Sequence, residues 1–484
     1  MCIIHNYFVL LWAKLIILEF MKRLLRYFLL LFMLIVSPSV VSAQQTFTIR
    51  GKHTVKKKET IFGISRMYGI TINELIEANP EMNTPGYELQ KGAVLNIPYS
   101  KAELEAAEAD KVAKAMEARR AEEAAKTASD DVRTRAIRLG VMLPLHNTNN
   151  DGRRMTEYYR GVLMACDSLK KQGISVDVYA WNTPDNGNIN MVLSDPAAAK
   201  CDIIIGPMYS KQVSALSDFV TKHDIRLVIP FSIDVPQLTT NRNIFQIWQS
   251  QNDVSEATIT RYLERFKDRH TVIIDCNDST SKKGVFTFGL RRQLEQRGIN
   301  YMITNLRSDE SNFSKAFSRT KPNVVILNTG RSQELGVAIS KINGLKANNP
   351  ELNITLFGYS DWLLYTNRYL ESFYNYDAYI PSVFYYNPLT KDTQEFERKY
   401  RQNFRTDMQT TLPRLSITGF DHAYFFMKGL HKYGKTFNGA EGLFGYPPIQ
   451  TPLKFERYGN GGLRNRSLML VHFTPQHTKE IFKY

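Results

Sequence analysis

From Ile137 onward the chain repeats one pattern, a short continuous apolar run followed by a longer segment that is apolar on one side only. "IRLGVML" precedes "TEYYRGVLMACDSLKKQG", and "ISVDVYAW" precedes a helical stretch around Asn190. "CDIIIGP" then precedes "SKQVSALSDFVTKHD", and "RLVIPF" closes the series. A second series starts near Phe245, with "HTVIID" before "KKGVFTFGLRRQLEQRG", "NVVILN" before "SQELGVAISKIN", and then "ITLFGY". A strand with apolar residues in unbroken succession must bury both its faces, which requires a parallel sheet with helices on either side. The fold class is therefore α/β, with two doubly wound parallel lobes over residues 136–476 and chain crossings near 248 and again near 365–385. Ligands of such sheets bind at the carboxyl ends of the strands.

A much smaller unit stands ahead of the lobes, in "HTVKKKETIFGISRMYGITINELIEANP" and "LQKGAVLNIP". Thr54-Val55 reads as a strand, and Thr60 opens an apolar helix through Ile61, Ile64 and Tyr68. Gly69 stands where a helix end needs positive φ. Thr71 and Glu74 form a capping box that starts a second helix. A turn at Gly92 leads to a strand ended by Pro98. This βααβ order over residues 50–98 resembles the LysM family. "HTVKKKETIF" matches its opening pattern at Val55 and Thr60, with Glu59 in place of the usual Asp and Lys58 in place of the usual Gly. A bulky residue at 58 must accept whatever backbone angle the glycine took. The resemblance implies binding of N-acetylglucosamine chains such as peptidoglycan in a groove between two loops. On this chain those loops are Glu59, Thr60, Ile61 and Phe62, and Asn79, Pro80, Glu81 and Met82. Backbone groups would serve the acetamido groups, and Phe62 and Met82 would offer apolar contact to a sugar face. Taken singly, Thr60 reads equally well as a helix cap and Asn79 as a turn residue.

Between the two lies "KAELEAAEADKVAKAMEARRAEEAAKTASDD", part of a charged stretch over 101–135 without Gly or Pro. Opposite charges recur at i,i+4, as in Asp110 and Lys114, and large apolar residues are few, so a solvated helical spacer is expected. At the other end, "MKRLLRYFLLLFMLIVSPSVVSAQQ" has the basic, apolar and small-residue regions of a cleavable signal peptide. Residues 1–43 read as a leader region with the true start at Met21, and the chain is expected in the periplasm or cell wall with no membrane span after cleavage. The alternative is an anchor of two apolar segments, but Lys14, Glu19, Lys22 and Arg23 interrupt the span it would need. The net charge of +15 suits an anionic surface. No basic helix interleaved with aromatics carries that charge, so nucleic acid is not expected as a partner. Cys166, Cys201 and Cys276 have no metal or disulfide spacing and read as buried thiols.

The large body resembles type I periplasmic binding proteins of the leucine/isoleucine/valine-binding group. The residues that carry this are "CDIIIGPMYSKQVSALSDFVTKHDIRLVIPFSID", "FQIWQSQNDVSEA" and "TGFDHAYFFMKGL". The resemblance implies a cleft whose hydroxyls and amides hold a ligand carboxylate while an acidic residue in the other lobe holds the amine. Carried over, the candidates are Ser210, Ser232 and Asp234 in the first lobe and Thr329, Ser360 and Asp361 in the second. Ser210 reads first as a helix cap, since a serine at a strand-to-helix junction usually serves as one. Of the nearby segments, "HNTNNDGRR" is either a roof over the cleft or an ordinary loop, and Tyr385 or Tyr386 belongs to the sheet core or faces the cleft.

"GLHKYGKT", Gly429 to Thr436, has P-loop spacing but follows a helix rather than a strand, so it is read as a chance match. No catalytic motif or closely spaced metal-ligand set stands out among the nine histidines and their neighbours. The expectation is a non-enzymatic wall-associated protein with no cofactor, binding peptidoglycan and an amino-acid-like solute. The rival is a scaffold or regulator of a cell-wall synthase or hydrolase with no small ligand.

Overall fold

The computed structural model describes residues 48–439 and 447–484, the side chains of 121–129 excepted. The expected leader lies outside the described residues. Among those described, no helix is long and apolar enough to cross a membrane. The chain divides into two units, 1–124 and 125–484.

In the first unit, β1 (Ile49–Thr54) is followed by α1 (Ile61–Tyr68), α2 (Ile72–Glu77) and β2 (Val94–Pro98), the strands pairing antiparallel with His53 opposite Leu95. The local signals act as their chemistry dictates. Thr60 Oγ1 accepts the Gly63 N–H at 3.1 Å, and Gly69 closes α1 at φ 67°. The Thr71–Glu74 capping box is complete, and the second Glu74 oxygen accepts the Lys101 N–H at 2.8 Å. Val55, Ile64, Ile70, Leu75, Leu95 and Ile97 are buried together as the core. Lys58 does take the left-handed angle of the missing glycine, at φ 75°. The spacer helix α3 spans Lys101–Ser129, 29 residues, and 101–120 are exposed throughout. Asp110 and Lys114 pair at 2.7 Å on that exposed face, a contact of at most a few tenths of a kcal/mol.

The second unit opens with β3 (Ile137–Leu143), α4 (Asn150–Lys170), β4 (Val176–Asn182), α5 (Ile189–Leu193) and β5 (Ile203–Ile205). After these come α6 (Val213–His223), β6 (Arg226–Ile229) and β7 (Ile244–Gln246). The second lobe begins with α7 (Gln251–Phe266), β8 (His270–Asp275), α8 (Gly284–Gln296), β9 (Tyr301–Asn305) and α9 (Glu310–Ser314). It continues through β10 (Asn323–Leu327), α10 (Ser332–Asn348), β11 (Ile354–Phe357), α11 (Thr366–Asn375) and β12 (Ala378–Ser382). The chain then returns to the first lobe as α12 (Lys391–Phe404), α13 (Leu415–Tyr433), β13 (Phe455–Arg457) and β14 (Leu463–Asn465). It ends in the second lobe as the hairpin β15 (Met469–Phe473) and β16 (Lys479–Lys483).

The sheets have matching orders, β4-β3-β5-β6-β7-β14-β13 and β9-β8-β10-β11-β12-β15-β16. The first five strands of each are parallel. Period-two alternation sends Ile203 and Ile205 into one core layer and Ile204 into the other, so both faces of the first sheet are dry.

The structure departs from the sequence expectation at the tail. A third crossing follows Asn465, and the domain runs past the expected boundary at 476, because Lys479–Lys483 pairs with Met469–Phe473. The two outer pairings, β13 with β14 and β15 with β16, are antiparallel. The P-loop-like stretch is the end of α13 running into a short 3-10 turn, Gly434–Thr436, with no strand before it.

α13 is buried nearly all round and crosses α4 at backbone contact. A Cβ on Gly161 would lie 1.8 Å from the Ser416 carbonyl oxygen, and one on Gly419 would lie 2.0 Å from that of Tyr158. We expect Gly161→Ala to destabilise the domain by about 3 kcal/mol in urea unfolding. Gly344→Ala, on α10 with open space around it, should instead stabilise by roughly 0.5 kcal/mol. In the small unit, Lys58→Gly should gain roughly 1 kcal/mol by relieving the left-handed backbone, read as slower amide exchange in β1 and β2.

Candidate functional site

The two loops of the small unit present an uneven surface. Phe62 is exposed at 61%, and Thr60, Pro80 and Glu81 also face solvent. Ile61 packs on the same apolar cluster that contains Met82, so the loops share one core. Met82 is buried within that core and offers no face to a sugar, contrary to expectation. Asn79 is fully buried, and its amide donates to the Leu75 and Asn96 carbonyls at 2.8 and 2.7 Å and accepts the Asn96 N–H at 2.6 Å. Its side chain thus ties the second loop to β2. Glu59 accepts the Lys56 N–H at 2.7 Å and meets His53 Nε2 at 2.9 Å. The Lys56 amide, and after it His53, hold the Glu59 carboxyl below its ordinary range.

Between the lobes, at the carboxyl ends of both sheets, lies a cleft of ≈ 660 Å³. Loops after β5, β6 and β7 bring Met208, Phe231 and Trp248 to it, and loops after β11 and β12 bring Asp361 and Phe384. Of the six carried-over candidates, only Ser360 and Asp361 line it. Asp361 is already engaged, with Lys283 Nζ 2.6 Å from its carboxylate. Ser210 and Ser232 hydrogen-bond to each other at 2.8 Å, and Ser210 makes no helix cap. The Ser232 hydroxyl accepts the Asp234 N–H at 3.2 Å in a local turn, while Asp234 is exposed. Thr329 donates to Asp278 at 2.7 Å. Ser210, Ser232, Thr329 and Asp361 are thus engaged within the protein, and Ser210, Ser232, Asp234 and Thr329 lie outside the cleft lining.

Residues outside the six carried-over candidates do reach the cleft. Arg154, from "HNTNNDGRR", lines it from the first turns of α4, after Asn149 has capped that helix. His422 lines it from α13, 1% exposed. Its Nδ1 lies 3.0 Å from the Tyr158 hydroxyl, and Nε2 has no hydrogen-bond partner among the described residues. Edge-on rings continue from His422 to Tyr158 and then to Phe231, with centroids 5.7 and 5.3 Å apart. Tyr385 is buried in the second core, and Tyr386 donates to Glu397 at 2.5 Å. Val383 and Phe384 line the cleft in their place. Burial pushes the three thiols, Cys166, Cys201 and Cys276, up to about 12, so they stay protonated and unreactive.

A second hollow of ≈ 510 Å³ lies at the amino ends of the first sheet. Arg135 meets Asp202 there at 2.7 Å, and Lys435 meets Asp224 at 2.9 Å, so much of its charge is taken up by internal ion pairs.

Strand order, crossings and cleft give the larger unit the two-lobed α/β fold that type I periplasmic binding proteins have. In front of it the chain carries a LysM domain, since residues 53–98 match the family described by that name. No curated protein matches the chain in sequence. Among solved structures, it is similar to a putative branched-chain amino acid ABC transporter from Rhodospirillum rubrum, at 13% identity and TM-score 0.49, covering 72% of this chain and 100% of that one. An ABC transporter substrate-binding protein from Desulfitobacterium hafniense in complex with Leu matches at 14% identity and TM-score 0.38, with coverage of 72% and 100%. Haemophilus influenzae LpoA matches at 13% identity and TM-score 0.47, with coverage of 72% and 59%.

Burial lowers His422 from its ordinary 6.5 to about 3. An imidazole held neutral in the fold binds its proton more readily once unfolded, so this contribution is intact above pH 6.5 and is lost as the pH falls toward 3. Between pH 6.5 and 4.5 the protein should lose roughly 2–3 kcal/mol of unfolding free energy that His422→Phe does not lose, measured by denaturant titration.

Proposed function

We propose that the chain is an exported, non-catalytic binding protein held to peptidoglycan by its LysM domain, with a body that closes its lobes on a small solute. The observation that carries this reading is the cleft at the carboxyl ends of both sheets, of a size that suits a small molecule. Closure would follow from tighter binding to the closed arrangement than to the open one. The net charge of +15 favours residence in an anionic wall, and a single LysM copy would bind glycan weakly. A periplasmic or wall location follows from the leader and the LysM domain together.

A second reading, in which the body recruits a cell-wall synthase or hydrolase, is favoured by the apolar cleft mouth. Ile233 and Trp248 are exposed there at 57% and 44%. Thermal-shift screening of the folded chain against amino acids, small amides, acids and sugars separates the two. Solute-induced stabilisation supports the first, and a blank screen with co-purification of a wall enzyme supports the second.

For the LysM domain, Phe62→Ala should weaken retention on insoluble peptidoglycan roughly fivefold, ~1 kcal/mol, with little change in stability. Deleting residues 50–98 should abolish retention, and undiminished retention would overturn the glycan assignment.

A further inference from the structure

We propose that the interlobe cleft takes an apolar acid, whose carboxylate is received by the Nε2–H of His422 and the guanidinium of Arg154. This rests on the reading of the cleft as a solute site and names the class of solute.

Tyr158 is fully buried, and among the described residues its hydroxyl meets only His422 Nδ1. A phenol O–H donating to Nδ1 leaves one buried group unpaired, Nε2–H, where the reverse tautomer would leave two, the phenol O–H and the Nε2 lone pair, so the imidazole proton is assigned to Nε2. That N–H has no partner among the described residues. A buried donor left unpaired is costly, and an arriving acceptor oxygen recovers the loss. Arg154 lies one turn before Tyr158 on α4, at i,i+4 spacing, so the two side chains share a helix face. Its buried Nε also lacks a partner, and no carboxylate pairs with it among the described residues. A cation and a neutral N–H donor on one cavity wall suit an anionic oxygen.

The remaining charges argue against an amine. Among the described residues Asp361 is the one acidic residue lining the cleft, and it is neutralised by Lys283. An ammonium group would have to displace that lysine, whose Nζ also sits 4.9 Å from the Tyr359 ring centre. Arg154 is left as a net positive charge. Phe231, Ile247, Trp248, Phe384 and Leu415 supply apolar walls for the body of the ligand.

Calorimetric titration of the full chain with four eight-carbon probes tests the assignment. These are octanoate, octanamide, octylamine and 2-aminooctanoate, which differ only in the head group. Octanoate should bind at least tenfold more tightly than the other three. Arg154→Gln and His422→Phe should each weaken it at least tenfold, and His422→Gln, which keeps an N–H donor, should recover part of the loss. Circular dichroism checks that each variant is folded. Equal or tighter binding of the amine or the zwitterion would overturn the acid assignment and leave the solute reading standing. Octanoate binding that survives both substitutions would overturn it in the same way. If none of the probes binds and the solute screen is also blank, both fall.

Discussion

At the crossing of α4 and α13, two glycines let the carbonyl of each helix approach the backbone of the other. The helices come from distant parts of the domain, α4 directly after the first strand and α13 after the five parallel strands of the second lobe. Their contact brings the returning chain home. From α13, the Asp421 carboxylate accepts the N–H groups of Ile449, Gln450 and Thr451 at 2.9, 2.9 and 2.7 Å. That anchor guides the segment leading to β13 and β14. Phe426 packs with Phe245 and Phe455 in the same core, so the late strands are seated by the helix that precedes them.

The same crossing sets the floor of the cleft. Tyr158 and Gly161 are three residues apart on α4, and Gly419 and His422 are three apart on α13. Each glycine therefore stands one turn from a member of the hydrogen-bonded pair. Backbone proximity that serves packing thereby fixes an imidazole in a dry position. In the cleft and its surroundings, hydroxyls and charges have largely found partners: Ser210 with Ser232, Thr329 with Asp278, Asp361 with Lys283. Among the described residues, the buried side-chain groups lining the cleft that remain unmet are Arg154 Nε on α4 and His422 Nε2 on α13.

The architecture was largely legible because its signals are local and repeated. Short unbroken apolar runs told strands buried on both faces from helices buried on one, and in the LysM unit Thr60, Gly69, Thr71 and Glu74 act as their positions announce. Lys58 shows that a departure from a pattern can be read as backbone geometry as well as loss. The tail was harder. "FERYGN" and "LRNRS" are too short and too mixed to declare strands, and only pairing with β7 or with each other makes them so. The cleft was harder still. A serine at a strand end announces a hydroxyl but not its partner, and Asn79 announced a loop residue where tertiary contact made it an internal tie. His422 had a trace in the sequence, a histidine among the aromatic and aliphatic residues of a largely buried helix, but its bond to a tyrosine 264 positions away had none.

Both sheets are completed from the tail, β7 receiving β14 and β12 receiving β15. A chain emerging from the ribosome therefore carries β7 as an open edge until residue 463 has been made, and β12 until residue 469. Unpaired edges of this kind recruit other strands, so the nascent protein depends on finishing translation, or on a chaperone, before either half is sealed against its neighbours.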